Sequence, residues 1–568
     1  MLFPAFGLNY YLVRPIDFKM KWIKAFLLTV FLAANVFAQL KSDLKIQIDS
    51  LLSVNYAGER SGASVLIAQN NQIVYLKAFG KANLEESIAL TPQHIFRIGS
   101  VSKQFTAVAI LKLAEEGKLS LQDPVTRYLP DYPTQGHRIT LEHLLTHTSG
   151  IPSYTNSPLW TPEVRRKDFS PLELINFFKS DSLEFDPGTA WNYNNTGYFI
   201  LGYIIEQVSG QSYASYLQDK IFTPLKLQNT LYANDTRILK NRAIGYQKQD
   251  SEFAHAEFLS MTQPYAAGSL MSTVEDLFVW HVALHAGKIL HPYSLKAALT
   301  NFTLLNGEPS NYGYGFFFGN ILGSPTIEHS GGINGYLSQT LFLPQENIYI
   351  AILTNCNCDP PGPVSAHLAA TLIGKTYAPT ALSLSEAQLK SYQGIYAKDQ
   401  EERYIIFRNG KLYNQRPAGS ENELIPYASD AFYPAGSFSR IIFQRDSQSK
   451  IYGYNFTDRR NTQPLLWKLT DKPLSDLKIV NIDSETLKMY QGEYQLHPGF
   501  SIVIVLKSDK LFAQATGQPA FELQALSQTL FNTLNVDAQI EFIAAENGSA
   551  SSIILHQDGR KIHGQKVK

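Results

Sequence analysis

The chain of 568 residues holds only two cysteines, Cys356 and Cys358. Two thiols cannot make a four-ligand thiolate zinc site or a disulfide framework, and a spacing of two residues reads as poorly suited to bridging. Neither stands where a lipid would attach behind a leader. Excess charge of either sign is also missing: Lys+Arg and Asp+Glu number 49 each, so no basic field points to nucleic acid. Long apolar runs are scarce. The run inside "MKWIKAFLLTVFLAANVFAQ", from Met20, is shorter than the roughly 20 residues of a membrane span. With Lys21 and Lys24 before it and Val36-Phe37-Ala38 behind it, it reads as a secretory signal. Residues 1–38 are therefore expected to be removed, with Met20 as an alternative start to Met1. An uncleaved anchor is the other reading. The expected product is exported, periplasmic or secreted, without stable membrane insertion.

What remains is ordinary globular material, 44% hydrophobic and 17% charged, long enough for about three domains. Over residues 39–378 strands and helices mix. "GASVLIAQNNQIVYLKAFG" predicts two strands around Asn70-Asn71, and "GYLSQTLFLPQENIYIAILTN" two more around Pro344 to Asn347. Strands at both ends with helices between them predict one sheet built from distant segments, an α+β domain. After Pro379 the chain turns to strand-and-turn sequence that repeats. "YQGIY" at Tyr392 returns as "YQGEY" at Tyr490, and Leu424, Phe432 and Phe443 return as Leu523, Phe531 and Phe542. Two tandem all-β units follow, at 383–472 and 481–568, with "TDKPLSD" as linker. Neither carries a visible charged or metal-binding constellation, so both read as shielding or interaction modules.

"FRIGSVSKQFTAVAILKLAEEGKL", from Phe96, has apolar residues at three- and four-residue steps and predicts a helix with one buried stripe. Ser100 and Lys103 open it on one face. An unassisted serine is a poor nucleophile, and a desolvated lysine can serve as its base. The Ser-x-x-Lys spacing alone says little, since Ser42, Ser447 and Ser475 share it; only Ser100 begins an apolar-faced helix. "FDPGTAWNYNNTGYFILGYIIEQVSG" sets Tyr193-Asn194-Asn195 directly before another helix. A buried phenol there can relay a proton, and an amide can hold the lysine. Tyr154-Thr155-Asn156 has the same spacing. In "IEHSGGINGY", His329-Ser330-Gly331-Gly332 precedes a strand, with glycines that let a substrate backbone approach. His285-Ala286-Gly287 imitates it inside an apolar helical run and reads as core.

In this order the three segments resemble the serine β-lactamase and penicillin-binding-protein superfamily, in its class C-like branch of D-alanyl-D-alanine carboxypeptidases, D-aminopeptidases and esterases. "LLTHTSGIPSY", "AAGSLMSTVEDLFVW" and "HSGGINGY" support it. The β units resemble lipocalin-like tails. The resemblance implies Ser100 as nucleophile and Lys103 as its base. Tyr193 becomes the proton donor and later activates water. Asn195 orients Lys103 and the acyl side chain. His329, Gly331 and Gly332 line the substrate's side, and the N–H groups of Ser100 and Gly332 form the oxyanion hole. Two positions depart from the pattern: Asn194 stands where the branch has serine, and His329 where β-lactamases have lysine. The second argues against efficient β-lactam hydrolysis.

The expected protein is an exported serine hydrolase, free of metal and cofactor, acting through an acyl-enzyme on a small ester or peptide amide. One alternative is a β-lactamase or carboxypeptidase acting on cell-wall peptides. The other is a silent protein that binds peptidoglycan fragments. His329 is expected to grip substrate carboxylates in a pH-dependent way, and the tail to contribute no reacting group. Oligomeric state is left open.

Overall fold

A computed structural model describes residues 42–568, except 181, 235, 250–251, 377, 400, 417–420, 461–462, 475–481, 498–499, 508, 517–519, 534–537, 545–548, 558–559 and 568. The predicted signal lies outside the described residues. Strands β1 (Ala63–Gln69) and β2 (Gln72–Phe79) form a hairpin through Asn70 and Asn71. Both asparagines are left-handed, with φ 53° and 60°, a conformation that asparagine tolerates better than most residues. From the far end of the domain come β3 (Phe317–Ile321), β4 (Ser324–Ile333), β5 (Tyr336–Leu343) and β6 (Ile348–Thr354). The antiparallel order is β3-β4-β5-β6-β1-β2, so the two distant segments meet where Leu66 pairs with Ala351.

Alternate residues of the central strands enter different cores. Val65, Ile67, Ile350 and Ile352 pack with helices α1 (Ser42–Tyr56) and α5 (Pro361–Leu372). Leu66, Ala68, Ala351 and Leu353 face α2 (Ser102–Glu115), α3 (Asn195–Ser209) and α4 (Val274–His285). Because strand side chains alternate with period two, covering both faces explains why these strands read as apolar without a break. His281 and His285 pack on Phe342 within α4's core face, as expected for the His285 decoy.

Helix α2 is buried along nearly its whole circumference, from Ser102 to Leu111, rather than on one stripe. It is a central helix with the sheet on one side and α3 on another, which is why its few polar groups are held by specific partners. Ser100 lies in the one-turn 3-10 segment Gly99–Val101 that leads into it.

Beyond the domain the strands from Gly394–Lys398 to Leu465–Leu469 close into one barrel of eight, and those from Gly492–His497 to Arg560–Lys566 into a second. The repeated tyrosines do the same work in both: Tyr396 donates to the Tyr392 carbonyl at 2.9 Å and Tyr494 to the Tyr490 carbonyl at 2.8 Å. Tyr392 packs on Phe432 and Phe443, and Tyr490 on Phe531 and Phe542.

Two expectations are corrected. Cys356 and Cys358 are joined, with Cα atoms 5.2 Å apart, inside the ordinary range for a disulfide. The chain bends directly after β6, where Asn355 is pinned to Gly62, Lys81 and Ile244, and the bend brings the two side chains together. The first barrel, moreover, carries a charged group into the domain. Arg459 donates to both carboxylate oxygens of Glu328 at 2.9 and 2.8 Å, and Arg460 lies 4.1 Å from the centroid of the Phe317 ring.

Candidate active site

The turn before α2 is held against the start of the free edge of β4. Strand β3 pairs with β4 from Ser324 to Glu328, which leaves the stretch from His329 onward beside the Ser100 turn. Gly99 has φ +49°, and a Cβ there would meet the Gly332 nitrogen at 2.9 Å; only glycine satisfies both constraints. A Cβ on Gly331 would fall 2.1 Å from the Ile98 carbonyl and 3.0 Å from the Ser100 nitrogen. Gly331 is thus needed for the close approach of the serine turn, not of the substrate as the sequence suggested. A Cβ on Gly332 would meet only Leu337, at 3.3 Å. The His329 motif also lies within a strand rather than before one.

Ser100, Lys103, Tyr193 and Asn195 come together. Lys103 is fully buried, and its Nζ lies 3.1 Å from Ser100 Oγ, 2.8 Å from Asn195 Oδ1 and 2.9 Å from the Ala267 carbonyl. Burial holds its pKa well below the ordinary lysine value, because desolvation disfavours the charged form. A neutral amine has two N–H donors and one lone pair. In that neutral form Asn195 Oδ1 and the Ala267 carbonyl, which can only accept, take both donors, and the lone pair is left to face the Ser100 hydroxyl. Asn195 is held in turn: its backbone N–H donates to Ser153 Oγ at 3.1 Å and its Nδ2 to Thr155 Oγ1 at 3.2 Å. Thr155 belongs to the decoy triplet, so that stretch supports the site without supplying the chemistry.

Asn194 answers for its own departure from the pattern. Its Oδ1 caps α3 by accepting from the Gly197 N–H at 2.6 Å, and its amide donates to the Ile151 carbonyl. Ser102 is buried and accepts from the Leu270 N–H at 3.1 Å, which makes it part of the scaffold.

The Tyr193 hydroxyl is buried without a hydrogen bond of ordinary geometry. Burial raises its pKa, and the nearby Ser100 hydroxyl only partly opposes the rise. The phenol is therefore protonated and its O–H is unspent. Sequence reading missed His147, whose ring lies 4.4 Å from that of Tyr193. Its Nδ1 accepts from the Asn194 N–H at 3.1 Å, which locates the loop bearing Tyr193. "LLTHTSGIPSY" was the available signal.

His329 is where the largest correction falls. It is buried. Nδ1 lies 2.6 Å from the Ser330 carbonyl and Nε2 2.9 Å from the Tyr312 hydroxyl. A carbonyl can only accept, so Nδ1 carries the hydrogen and Nε2 accepts from Tyr312. Burial, the largest cause, pushes its pKa down to about 3. Its two nitrogens are already used, and it does not present a switchable charge to the substrate.

Fold and comparisons together define a serine hydrolase. A family profile described as Beta-lactamase matches residues 37–375, and the chain belongs to that family. A second profile, a domain of unknown function (DUF3471), matches residues 478–566. Penicillin-binding protein 4* of Bacillus subtilis (strain 168) is 25% identical over 93% of this chain and 100% of its own length. The octameric penicillin-binding protein homologue from Pyrococcus abyssi superposes with TM-score 0.53 at 25% identity, over 83% of this chain and 97% of that one. A D-stereospecific amidohydrolase from Streptomyces sp. gives TM-score 0.50 at 26% identity, over 58% and 99%.

Proposed function

We propose that the protein is exported and hydrolyses a small ester or peptide amide through an acyl-enzyme on Ser100. The observation that carries this is the set of three neighbours around Lys103 Nζ, two of them obligate acceptors. As Ser100 Oγ attacks the acyl carbon, its proton passes to Lys103 Nζ, which becomes an ammonium. The Tyr193 O–H then protonates the departing alkoxide or amine, and Lys103 returns a proton to the phenolate. Water enters by the reverse route and releases the acid. The N–H groups of Ser100 and Gly332 take the oxyanion, at about 3 kcal/mol per donor in other hydrolases. Similarity to penicillin-binding proteins and to a D-stereospecific amidohydrolase supports a peptide-like amide among the substrates. The joined cysteines suit an oxidising compartment, which supports export.

A fluorophosphonate probe followed by mass spectrometry tests the reading. The adduct belongs on Ser100, and Ser100→Ala abolishes it. An adduct on Ser102 or Ser330 would relocate the nucleophile, and no adduct would favour the silent binding protein.

A further inference from the structure

The first barrel reaches the free edge of β4. Its residues 436–438 and 459–460 meet the catalytic domain, and a cleft of about 520 Å³ opens between them, lined among others by Phe317, Ser330, Pro361, Phe438, Arg459 and Arg460. The two arginines differ. Arg459 is spent on Glu328, whose side chain is 6% exposed, and so fixes the loop. Arg460 is exposed, and among the described residues no carboxylate is within ion-pair distance of it. Its guanidinium rests on Phe317, whose ring stacks toward Tyr193 at 6.1 Å and lies 5.1 Å from His329. The charge of Arg460 is felt at His329 and at Tyr312. Among the described residues that line the cleft, it is the cation without a carboxylate partner.

We propose that Arg460 is a specificity residue that anchors a carboxylate of the substrate, so that the first barrel supplies an anionic subsite beside the catalytic site, reached across the Phe317 ring. This rests on the acyl-enzyme reading above. An arginine already stacked on an aromatic ring loses little freedom on binding, and its planar fork suits a carboxylate. Position along the strand sets the spacing. Phe317 pairs with Glu328, Gly331 abuts Ser100, and the three residues from one position to the other, at about 3.3 Å each, span about 10 Å along the strand. The substrate this fits is an extended acyl donor or short peptide with its carboxylate two to three residue lengths from the bond that is cleaved. Ser330, which lines the same cleft, offers a hydroxyl to the same carboxylate.

The test uses the full chain and two esters of that length, identical except that one ends in a carboxylate and the other in its methyl ester. The readout is the ratio of their kcat/KM values. Wild type favours the carboxylate, and Arg460→Ala lowers the ratio by about ten-fold, the scale of one charge-assisted hydrogen bond in a partly solvated cleft. Arg460→Lys falls between the two, and Arg460→Glu takes the ratio below one. A purely structural role for Arg460 would move both esters together and leave the ratio alone. A ratio equal across these variants, or no preference in the wild type, overturns the proposal. Labelling of wild type by a neutral fluorophosphonate separates the failures: a labelled Ser100 with a flat ratio sinks only the subsite, and no label sinks the acyl-enzyme reading and the subsite with it.

Discussion

Lys103 is a buried amine whose depressed pKa comes from burial itself, and two predictions at residue scale follow from such groups. The base form is the neutral one, so acylation by a neutral ester rises as pH rises through the depressed value. Lys103→Ala should lower it by about 10² to 10⁴. Stability moves the same way: unfolded, the amine keeps its proton up to about pH 10.4, so the unfolded chain binds more protons and stability grows with pH across that window. A Lys103→Met variant whose urea midpoint varies with pH just as in wild type would refute the assignment. His329 works in the opposite corner of the scale. Its folded pKa is about 3 against about 6.5 unfolded, so from pH 5.5 to 8 it stays neutral and the carboxylate-to-neutral ester ratio stays flat. Stability should fall as pH drops from about 6.5 toward 3, by up to about 1.4 kcal/mol per pH unit for this group. Denaturation of wild type and His329→Gln at pH 7 and 4.5 reads that difference. A ratio that climbs as pH falls would put His329 back on the substrate.

At the scale of elements, the close contact of the Gly99–Val101 turn with β4 sets the site. Gly331→Ala places a methyl group 2.1 Å from the Ile98 carbonyl. Overpacking of this kind costs about 1 to 3 kcal/mol. It also moves Ser100, so acylation should fall at least ten-fold at a temperature where the variant remains folded. Gly332→Ala meets a flexible leucine end and should leave the melting temperature within a few degrees. Equal effects of the two substitutions on acylation would deny this asymmetry. These contacts also show what was readable in advance. Ser100 and Lys103, and Tyr193 and Asn195, are near neighbours in sequence at helix starts, where side-chain spacing follows from local geometry alone. The hairpins and the tandem barrels were readable from turn residues and repetition. The fate of His329 was not, because its neutrality depends on burial and on Tyr312, 17 residues away in the chain. Nor was the cysteine bridge, since a bend pinned by Asn355 has no signature in the spacing of two residues.

For the whole molecule, the question is how firmly the first barrel is seated. Arg459 is 22% exposed at its side chain and Glu328 6%, so the pair is largely withdrawn from water, and Gln339 Nε2 donates to Glu328 at 3.0 Å as well. Removing one member of a buried pair leaves the other charged and unpaired, at about 3 to 5 kcal/mol; the partial exposure of Arg459 lowers the expected loss to about 2 to 3. Arg459→Ala should therefore weaken the barrel's seat, shift chemical denaturation to lower urea, and speed protease cleavage in the connection between Ile373 and Leu382. Because the same loop presents Arg460, the carboxylate preference should drop too, with Ser100 still labelled by a small neutral fluorophosphonate. Adding Glu328→Gln to Arg459→Ala removes the stranded charge and should restore most of the stability, since the amide can still meet Gln339 and water. It should not restore the carboxylate preference, because nothing then locates the loop. If the double variant recovers stability and preference together, the Arg459–Glu328 pair does not position Arg460. If Arg459→Ala unfolds and is cleaved like wild type, the barrel is held elsewhere, through apolar contacts such as Phe438 against the α1 and α5 core.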